Sequence, residues 1–137
     1  MVEFALVAPV LVLLLIGLVE TGRYAAFAVM AANAARAGVE YGSQNLTTAN
    51  DTVGMKNAAL ADAQNLSGWA TPTAQHLCSI GGSALQACPT SGTPVTSSTV
   101  YYVQVKVTGT FRSLLSYPGL PASVPVAGSA VMRVASQ

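Results

Sequence analysis

Charged residues are scarce in this chain. Only 8% of its 137 residues are charged, and six basic against five acidic residues leave a formal net charge of +1. So small a charge produces no long-range field that would attract nucleic acid, and we expect no nucleic-acid partner. Uncharged polar residues and glycine must therefore solvate most of the surface. A surface with so little charge suits the dense packing of identical subunits, and it also suits secreted proteins in general.

The residue types that carry catalysis are also few. The single histidine, His76, has no acid close in sequence, and we expect it to cap a turn or touch solvent. The sequence contains no glycine-rich phosphate loop after a strand, no metal-ligand cluster and no nucleophile elbow. It therefore predicts neither an enzyme nor a cofactor or metal site.

Cysteine is limited to Cys78 and Cys88, ten positions apart in a stretch that contains Gly81 and Gly82. That spacing matches no familiar metal motif. We expect a disulfide, which would stabilise the surrounding domain by roughly 2–3 kcal/mol and would place it in an oxidising compartment. Two free structural thiols, or a metal or redox site, are the alternatives.

What the chain has in excess is apolar sequence at its start. Between Glu3 and Glu20 lie sixteen consecutive residues without a charge or a hydrogen-bonding side chain. A domain this small cannot surround such a segment, so the segment must lie in lipid or against copies of itself. As a helix, residues 2–19 would be about 27 Å long, which is adequate for the core of a bilayer.

The flanks of this apolar run distinguish it from a secretory signal peptide. It has no positive n-region and no convincing cleavage site, and helical patterning continues past it. Arg23 and Arg36 lie on its C-terminal side, which the positive-inside rule would place in the cytoplasm, whereas a disulfide places that side outside. A basic leader that once preceded Met1 and was then removed resolves the conflict, and we expect such a leader.

Helix-forming sequence continues to Gly42. Residues 21–42 are rich in alanine and contain no proline, and glycine is a good residue to end a helix. We predict one helix over residues 1–42, about 60 Å long, which forms a hydrophobic stem, and a head formed by residues 43–137. Small residues recur at four-residue spacing along the stem, which lets neighbouring helices approach closely. They include Ala28, Ala31, Ala35 and Gly38.

Two residues of the stem have both an ordinary and a functional interpretation. Pro9 lacks an amide hydrogen, so we expect a kink or local unwinding, either as in many membrane helices or as a weak point for repacking outside the membrane. Glu3 either sits in the headgroup layer, where the N-terminal helix dipole favours it, or pairs with a free α-amino group. Because its own amine lies on nearly the opposite side of the helix, that partner would be the amine of Met1 in an adjacent copy.

The head is predicted to be a small α+β structure. YYVQVKVTGTF alternates as a half-buried strand does, and VAGSAVMRVAS is interpreted as the last strand, antiparallel to it. The other expected elements are a polar loop over residues 43–52, a short helix from about Val53 to Leu66, and a third strand near Ala74 to Ile80. Trp69 is expected to fill the junction of stem and head. The predicted fold is thus α+β and pilin-like, with a long helix packed partly on a small antiparallel sheet and one short extra helix.

Two stretches of the stem carry a resemblance to a known family. VEFALVAPVLVLLLIGLVETGR, followed by AANAARAGVEYG, resembles the N-terminal region of TadE/TadG-like proteins, the pseudopilin-type proteins of the tight-adherence branch of type IV pili. The resemblance extends weakly through the C-terminal strands, but it is specific only over residues 2–23 and 31–38. It implies a leader cut by a prepilin peptidase, extraction from the inner membrane and burial of the N-terminal helices in a filament core. Glu3 then matches the acid that pairs with a neighbour's N-terminus and Pro9 the helix proline, although type IV pilins usually carry this acid at the fifth mature position.

The sequence and this resemblance together lead to three functional hypotheses. The first is a structural subunit of a tight-adherence pilus, which assembles through its N-terminal helix into a cell-surface filament and serves surface attachment. Its partners would be copies of itself, the pilus assembly machinery and, before assembly, the inner membrane. The alternatives are a minor pseudopilin that primes or tips the pilus, and a single-pass anchored extracytoplasmic binding domain.

Three of the five asparagines lie in N-x-[ST] sequons. They are Asn45, Asn50 and Asn65. In a secreted filament these residues could carry glycans, and the alternative interpretation is that the sequons simply reflect hydroxyl-rich loops.

Overall fold

A computed structural model describes residues 2–64, 69–88, 98–114 and 122–135, with side chains from residue 6 onward. The elements are α1 (Val2–Gly42), α2 (Leu46–Asn50), α3 (Thr52–Asp62), β1 (Thr71–Ile80), β2 (Gln86–Ala87), β3 (Thr99–Arg112) and β4 (Ser123–Arg133). One long helix, short helices and an antiparallel sheet form an α+β structure, which confirms the predicted fold class.

The sheet is built from four antiparallel strands in the order β2-β1-β3-β4. Ala74 on β1 and Ala130 on β4 flank Val105 in the centre of β3. Along β3, Val103, Val105 and Val107 are buried while the residues between them are more exposed. This period of two gives the sheet an inner face toward the helices and an outer face of hydroxyl, amide and basic side chains, together with exposed apolar ones such as Val131.

The C-terminal half of α1 supplies part of the core of the head. Ala31, Ala34, Ala35 and Val39 recur at the spacing of one helix face, and all are buried. This half of the helix packs against β3, β4 and α3. A division of the chain at residue 42 therefore cuts through one packed core, because the same helix continues from the apolar run into the head.

Very close approach between helix and sheet depends on two glycines. A Cβ atom added at Gly128 in β4 would collide with the backbone of Ala31 and Ala32, and one added at Gly38 in α1 would meet Val105 at 3.0 Å. Small residues on both surfaces thus let α1 lie almost directly on the strands.

The segment predicted as a polar loop contains a helix, so the prediction for residues 43–52 is wrong in part. Asn45 accepts a hydrogen bond from the N–H of Thr48, and the Thr48 hydroxyl accepts one from the N–H of Asn45. This capping box starts α2. Asp51 then caps α3, which ends at Asp62 and not near Leu66.

The carboxylate of Asp51 joins the end of α1 to the start of α3. It accepts hydrogen bonds from the N–H of Gly54 at 2.8 Å and from the hydroxyl of Tyr41 at 2.9 Å. These two bonds, the first of them the stronger cause, hold the pKa of Asp51 below its ordinary value of 3.8.

We expect Gly128→Ala to lower the free energy of unfolding by about 1–3 kcal/mol, because the new methyl group must push α1 away from β4. Gly22→Ala is the matched control, since nothing lies within 4 Å of a Cβ at that position. In urea unfolding of the detergent-solubilised full chain, the control should be neutral or stabilising. Equal stability of both variants would contradict the close packing described here.

The lowered pKa of Asp51 predicts a pH dependence of stability. The ionised Asp51 carboxylate stabilises the folded state at pH values above the ordinary carboxyl pKa. This stabilisation is lost as the pH falls through the lower pKa of the folded state. In thermal unfolding below pH 5, the unfolding temperature of Asp51→Asn should therefore fall less with decreasing pH than that of the wild type. Asp62→Asn is the control, because the side chain of Asp62 is exposed and has no hydrogen-bond partner within the described part of the chain. The proposed linkage is wrong if the two variants give the same profile.

Candidate functional site

The candidate site is the part of α1 that projects beyond the head, from Leu6 to Val19, which we call the apolar rod. Leu6 and Leu18 are each 72% exposed and Leu14 is 65% exposed. Nearly all of the rod's other large apolar side chains are more than half exposed as well. The rod is apolar on every side, so it has no polar face to turn toward water.

The rod is too costly to leave in water. Eleven large aliphatic side chains lie exposed along it, and burial of such a side chain is worth roughly 1.5–3 kcal/mol. Even at half that value per residue, the sum is on the order of 10 kcal/mol, as large as the whole folding stability of a typical domain. α1 is also long and apolar enough to cross a membrane, and none of its most apolar stretch is buried inside the protein. No described part of the chain covers the rod, and lipid or other chains would remove this cost.

Pro9 lies within this rod without ending the helix. α1 is continuous from Val2 to Gly42, so the expected local unwinding is not observed. Pro9 still provides no N–H for the helical hydrogen bond to Ala5. Met1 lies outside the described residues. Glu3 lies in the first turns of α1, and its side chain is outside the part that the structure describes.

Aromatic residues surround the stem where it enters the head. Phe27 packs against Trp69 with ring centroids 5.3 Å apart and against Phe111 at 5.4 Å, and Tyr24 meets Phe111 edge-on at 5.7 Å. The guanidinium of Arg23 lies 5.3 Å from the centre of the Phe111 ring. We call Tyr24, Phe27, Trp69 and Phe111 the aromatic collar. The prediction that Trp69 fills the junction is consistent with this packing.

Glu20 forms hydrogen bonds that connect α1 near the collar to the segment just after β3. One carboxylate oxygen accepts a hydrogen bond from the N–H of Leu114 and the other from the guanidinium of Arg23, both at 2.9 Å. The charged pair stands at the end of the rod, where the apolar run meets the first polar contacts of the head. Polar groups and aromatic rings at such a level are typical of a membrane–water interface.

The small residues predicted to contact neighbouring helices lie instead against the chain's own head. Ala31, Ala35 and Gly38 are buried, and Ala28 is half-buried beside Phe111 and Val126. Small residues at four-residue spacing indicate close approach, but they do not identify the approaching surface. The sequence reasoning therefore missed the opposite side of α1. The exposed residues there include Gly22, Ala25, Ala26, Val29 and Asn33, and further along Arg36 and Glu40.

Cys78 and Cys88 form a disulfide, as predicted. It joins β1 to the residue after β2 and so closes the hairpin at one edge of the sheet. Nearby, Nδ1 of His76 lies 3.0 Å from the side-chain oxygen of Asn50, and its ring stacks on Tyr101 at 5.5 Å. Partial burial between these two residues lowers the pKa of His76. Among the described residues there is no group of three or more metal-ligating side chains.

Two of the three sequon asparagines have structural contacts. Asn45 caps α2 through its side-chain oxygen, and the side-chain N–H of Asn50 donates to the carbonyl of Leu46 at 2.9 Å. A glycan attached to Asn50 would replace a hydrogen of that same nitrogen. Asn65 lies outside the described residues. Glycosylation of these residues stays a prediction.

Comparison with known families links the stem to one of them. The family described as TadE-like protein matches residues 1–40, and this match confirms the family resemblance over the stem. It associates the chain with the tight-adherence pilus through the helix that carries the apolar rod. No curated protein and no solved structure is significantly similar to the chain.

We expect Phe111→Ala to lower the free energy of unfolding by about 3–5 kcal/mol, because it empties the centre of the aromatic collar. Phe111 is 4% exposed. Leu114→Ala is the control, since Leu114 lies three residues away and is 71% exposed; its effect should stay within about 0.5 kcal/mol. Chemical denaturation in detergent measures both. A small effect of Phe111→Ala would show that the collar does not hold the stem to the head.

Proposed function

We propose that this protein is a structural subunit of a tight-adherence pilus, which assembles through its apolar rod and serves surface attachment. The observation that carries the proposal is the rod itself, an all-apolar helix segment that the head leaves uncovered. The TadE-like match of residues 1–40 supports it, because the matched segment is the one that needs covering. The proposed role is structural, and no chemistry at a catalytic site is part of it.

The first stage of the proposed mechanism is insertion into the inner membrane. The stem from residue 2 to residue 19 is about 27 Å long, close to the thickness of a bilayer core. Glu20, Arg23 and the aromatic collar would then stand at the membrane surface. The disulfide between Cys78 and Cys88 supports a head on the oxidising side of that membrane.

The second stage exchanges lipid for protein around the rod. In a bundle, the rods of neighbouring subunits would cover the same aliphatic side chains that lipid covers before assembly. The exposed side of α1 could extend this contact into the head region, because Gly22, Ala25 and Ala26 present only small side chains there. We propose this outer side as the continuation of the subunit interface, since the opposite side is already occupied by the sheet.

Glu3 provides specificity in the proposed assembly. A carboxylate at the apolar end of the stem is costly in a filament core unless an opposite charge neutralises it. The α-amino group of a neighbouring subunit can supply that charge. Insertion into the membrane needs no such partner, because Glu3 can remain in the headgroup layer, so the pairing favours the assembled state.

A minor pseudopilin and an anchored binding domain are the rival roles. The head of this chain favours either the minor role or a filament built on a larger unit, because the usual main subunit of tight-adherence pili is far shorter and almost wholly helical. Counting copies per length of isolated filament distinguishes a main from a minor subunit. An anchored domain would remain with the membranes after shearing, whereas a filament subunit would be found in the detergent-free supernatant.

We expect Glu3→Gln to leave membrane insertion unchanged and to reduce the yield of sheared filaments at least about tenfold, because loss of one partner of a buried ion pair is strongly destabilising. The measurement compares the amount of the protein in the membrane and sheared fractions. Glu40→Gln is the matched control, since Glu40 lies on the same helix but is exposed at the level of the head. Normal filament yield from Glu3→Gln would exclude the pairing mechanism.

A further inference from the structure

The structure contains a cleft of about 700 Å³ beside the aromatic collar. Arg23 and Phe27 of α1 line it on one side, Trp69 lies beside them, and Gly109 and Arg112 of β3 line the other. Three threonines and Pro125 complete the lining, and no carboxylate belongs to it within the described residues. The cleft is therefore a basic and hydroxyl-rich opening in a surface that otherwise carries little charge.

The end of the sheet leaves hydrogen-bonding groups uncovered at this cleft. β1 begins at Thr71, which lies opposite Thr108, so the last four residues of β3 have no ladder partner on that side in the described part of the chain. Alternate peptide groups of an open strand edge point outward and can bind a ligand. The cleft thus has backbone groups available in addition to its side chains.

Trp69 has an unused hydrogen-bond donor. Its indole Nε1 is buried and has no hydrogen-bond partner among the described residues. Its ring lies directly over Gly109, where any larger side chain would collide with it. A buried N–H without an acceptor costs about 1–3 kcal/mol. Because this nitrogen has almost no accessible surface, a ligand in the cleft would meet the indole ring and not its N–H.

The guanidinium groups define the chemistry of such a ligand. Arg23 uses one N–H for Glu20, and a guanidinium has five. Arg112 is exposed at the end of β3. Arginine binds planar or tetrahedral oxyanions through two parallel hydrogen bonds. Two arginines beside an open strand edge and threonine side chains together suit a phosphate group.

The height of the cleft along the stem identifies the source of that phosphate. Arg23 lies four residues beyond Val19, the end of the apolar rod, which corresponds to about 6 Å along the helix. The headgroup layer on each side of a bilayer is about 5–7 Å thick. When the rod spans the bilayer core, the cleft therefore stands at the level of the lipid phosphates.

We propose that this cleft binds the phosphate of an anionic phospholipid headgroup while the subunit is inserted in the membrane, before assembly. The inference rests on the membrane stage of the proposed function. It adds a specific lipid contact that the subunit must release when it leaves the bilayer. Such a contact fixes the depth of the stem and the orientation of the head before assembly.

The test uses the full chain in nanodiscs of phosphatidylcholine with increasing amounts of phosphatidylglycerol. Trp69 is the only tryptophan, so its indole N–H gives a single NMR signal that reports on the cleft. We expect phosphatidylglycerol to shift this signal in the wild type. Arg112→Gln should need about fivefold more of the anionic lipid, because one arginine near a membrane surface contributes about 1 kcal/mol.

Two further variants separate the cleft from general attraction to a negative membrane. Arg133→Gln removes the same charge at the opposite end of the sheet, well beyond the range of screened electrostatics, and should behave as the wild type. Arg112→Lys keeps the charge but loses the planar pair of donors, so it should bind nearly as weakly as Arg112→Gln. If Arg112→Lys needs no more phosphatidylglycerol than the wild type, the response reflects general attraction to a negative membrane, and the proposed site is wrong.

Other outcomes also decide the proposal. An equal shift in pure phosphatidylcholine would overturn the preference for anionic lipid. The same shift caused by inorganic phosphate in detergent micelles would show that the cleft binds a free anion and would overturn its assignment to lipid. If the chain inserts into nanodiscs but responds to no lipid, this inference fails while the proposed function stands. If it does not insert at all, the membrane stage of the proposed function fails first.

Discussion

The structure depends on the packing of α1 on the sheet. The helix is 41 residues long, whereas the sheet covers only its C-terminal half. Ala31 lies against Gly128, and Gly38 lies against Val105, so the two surfaces meet with almost no side chain between them. This packing makes one half of the helix a core element of a globular head. Because it ends near the aromatic collar, no part of the chain that the structure describes covers the other half.

The collar separates two environments along a single helix. On the C-terminal side of the collar, α1 has one buried and one exposed side, as the helices of soluble proteins do. On the N-terminal side of the collar, α1 is apolar all round. Glu20 and Arg23 lie at the transition and hold the end of β3 through the N–H of Leu114. This contact fixes the head to the stem at the end of their shared surface that lies nearest the rod.

Several features could be predicted from the sequence because they depend on local patterns. The helix and its end at Gly42, the alternation of Val103, Val105 and Val107, and the pairing of two isolated cysteines are of this kind. α2 was missed because its residues are polar, although Asn45 is one of the residues strongly preferred at a helix N-cap. That signal was present in the sequence and could have been used.

Other features could not be predicted from local patterns. Alanines and glycines at four-residue spacing predict close packing whether the approaching surface is a neighbouring subunit or the chain's own sheet, and only the tertiary fold distinguishes the two. The cleft is a stronger example. Arg23 and Arg112 are 89 positions apart in sequence, and their proximity to Trp69 follows from where β1 begins relative to the end of β3.

The outer face of the sheet has a consequence for the environment in which the protein works. Residues such as Thr73, Gln75, Gln104 and Ser129 expose hydroxyl and amide groups there. Forces between neutral polar groups do not depend on the Debye length, which changes from about 30 Å in dilute salt to about 3 Å in concentrated brine. Contacts made by these neutral groups should therefore hold in dilute and in concentrated salt, whereas those of Lys106, Arg112 and Arg133 on the same face should weaken as salt rises.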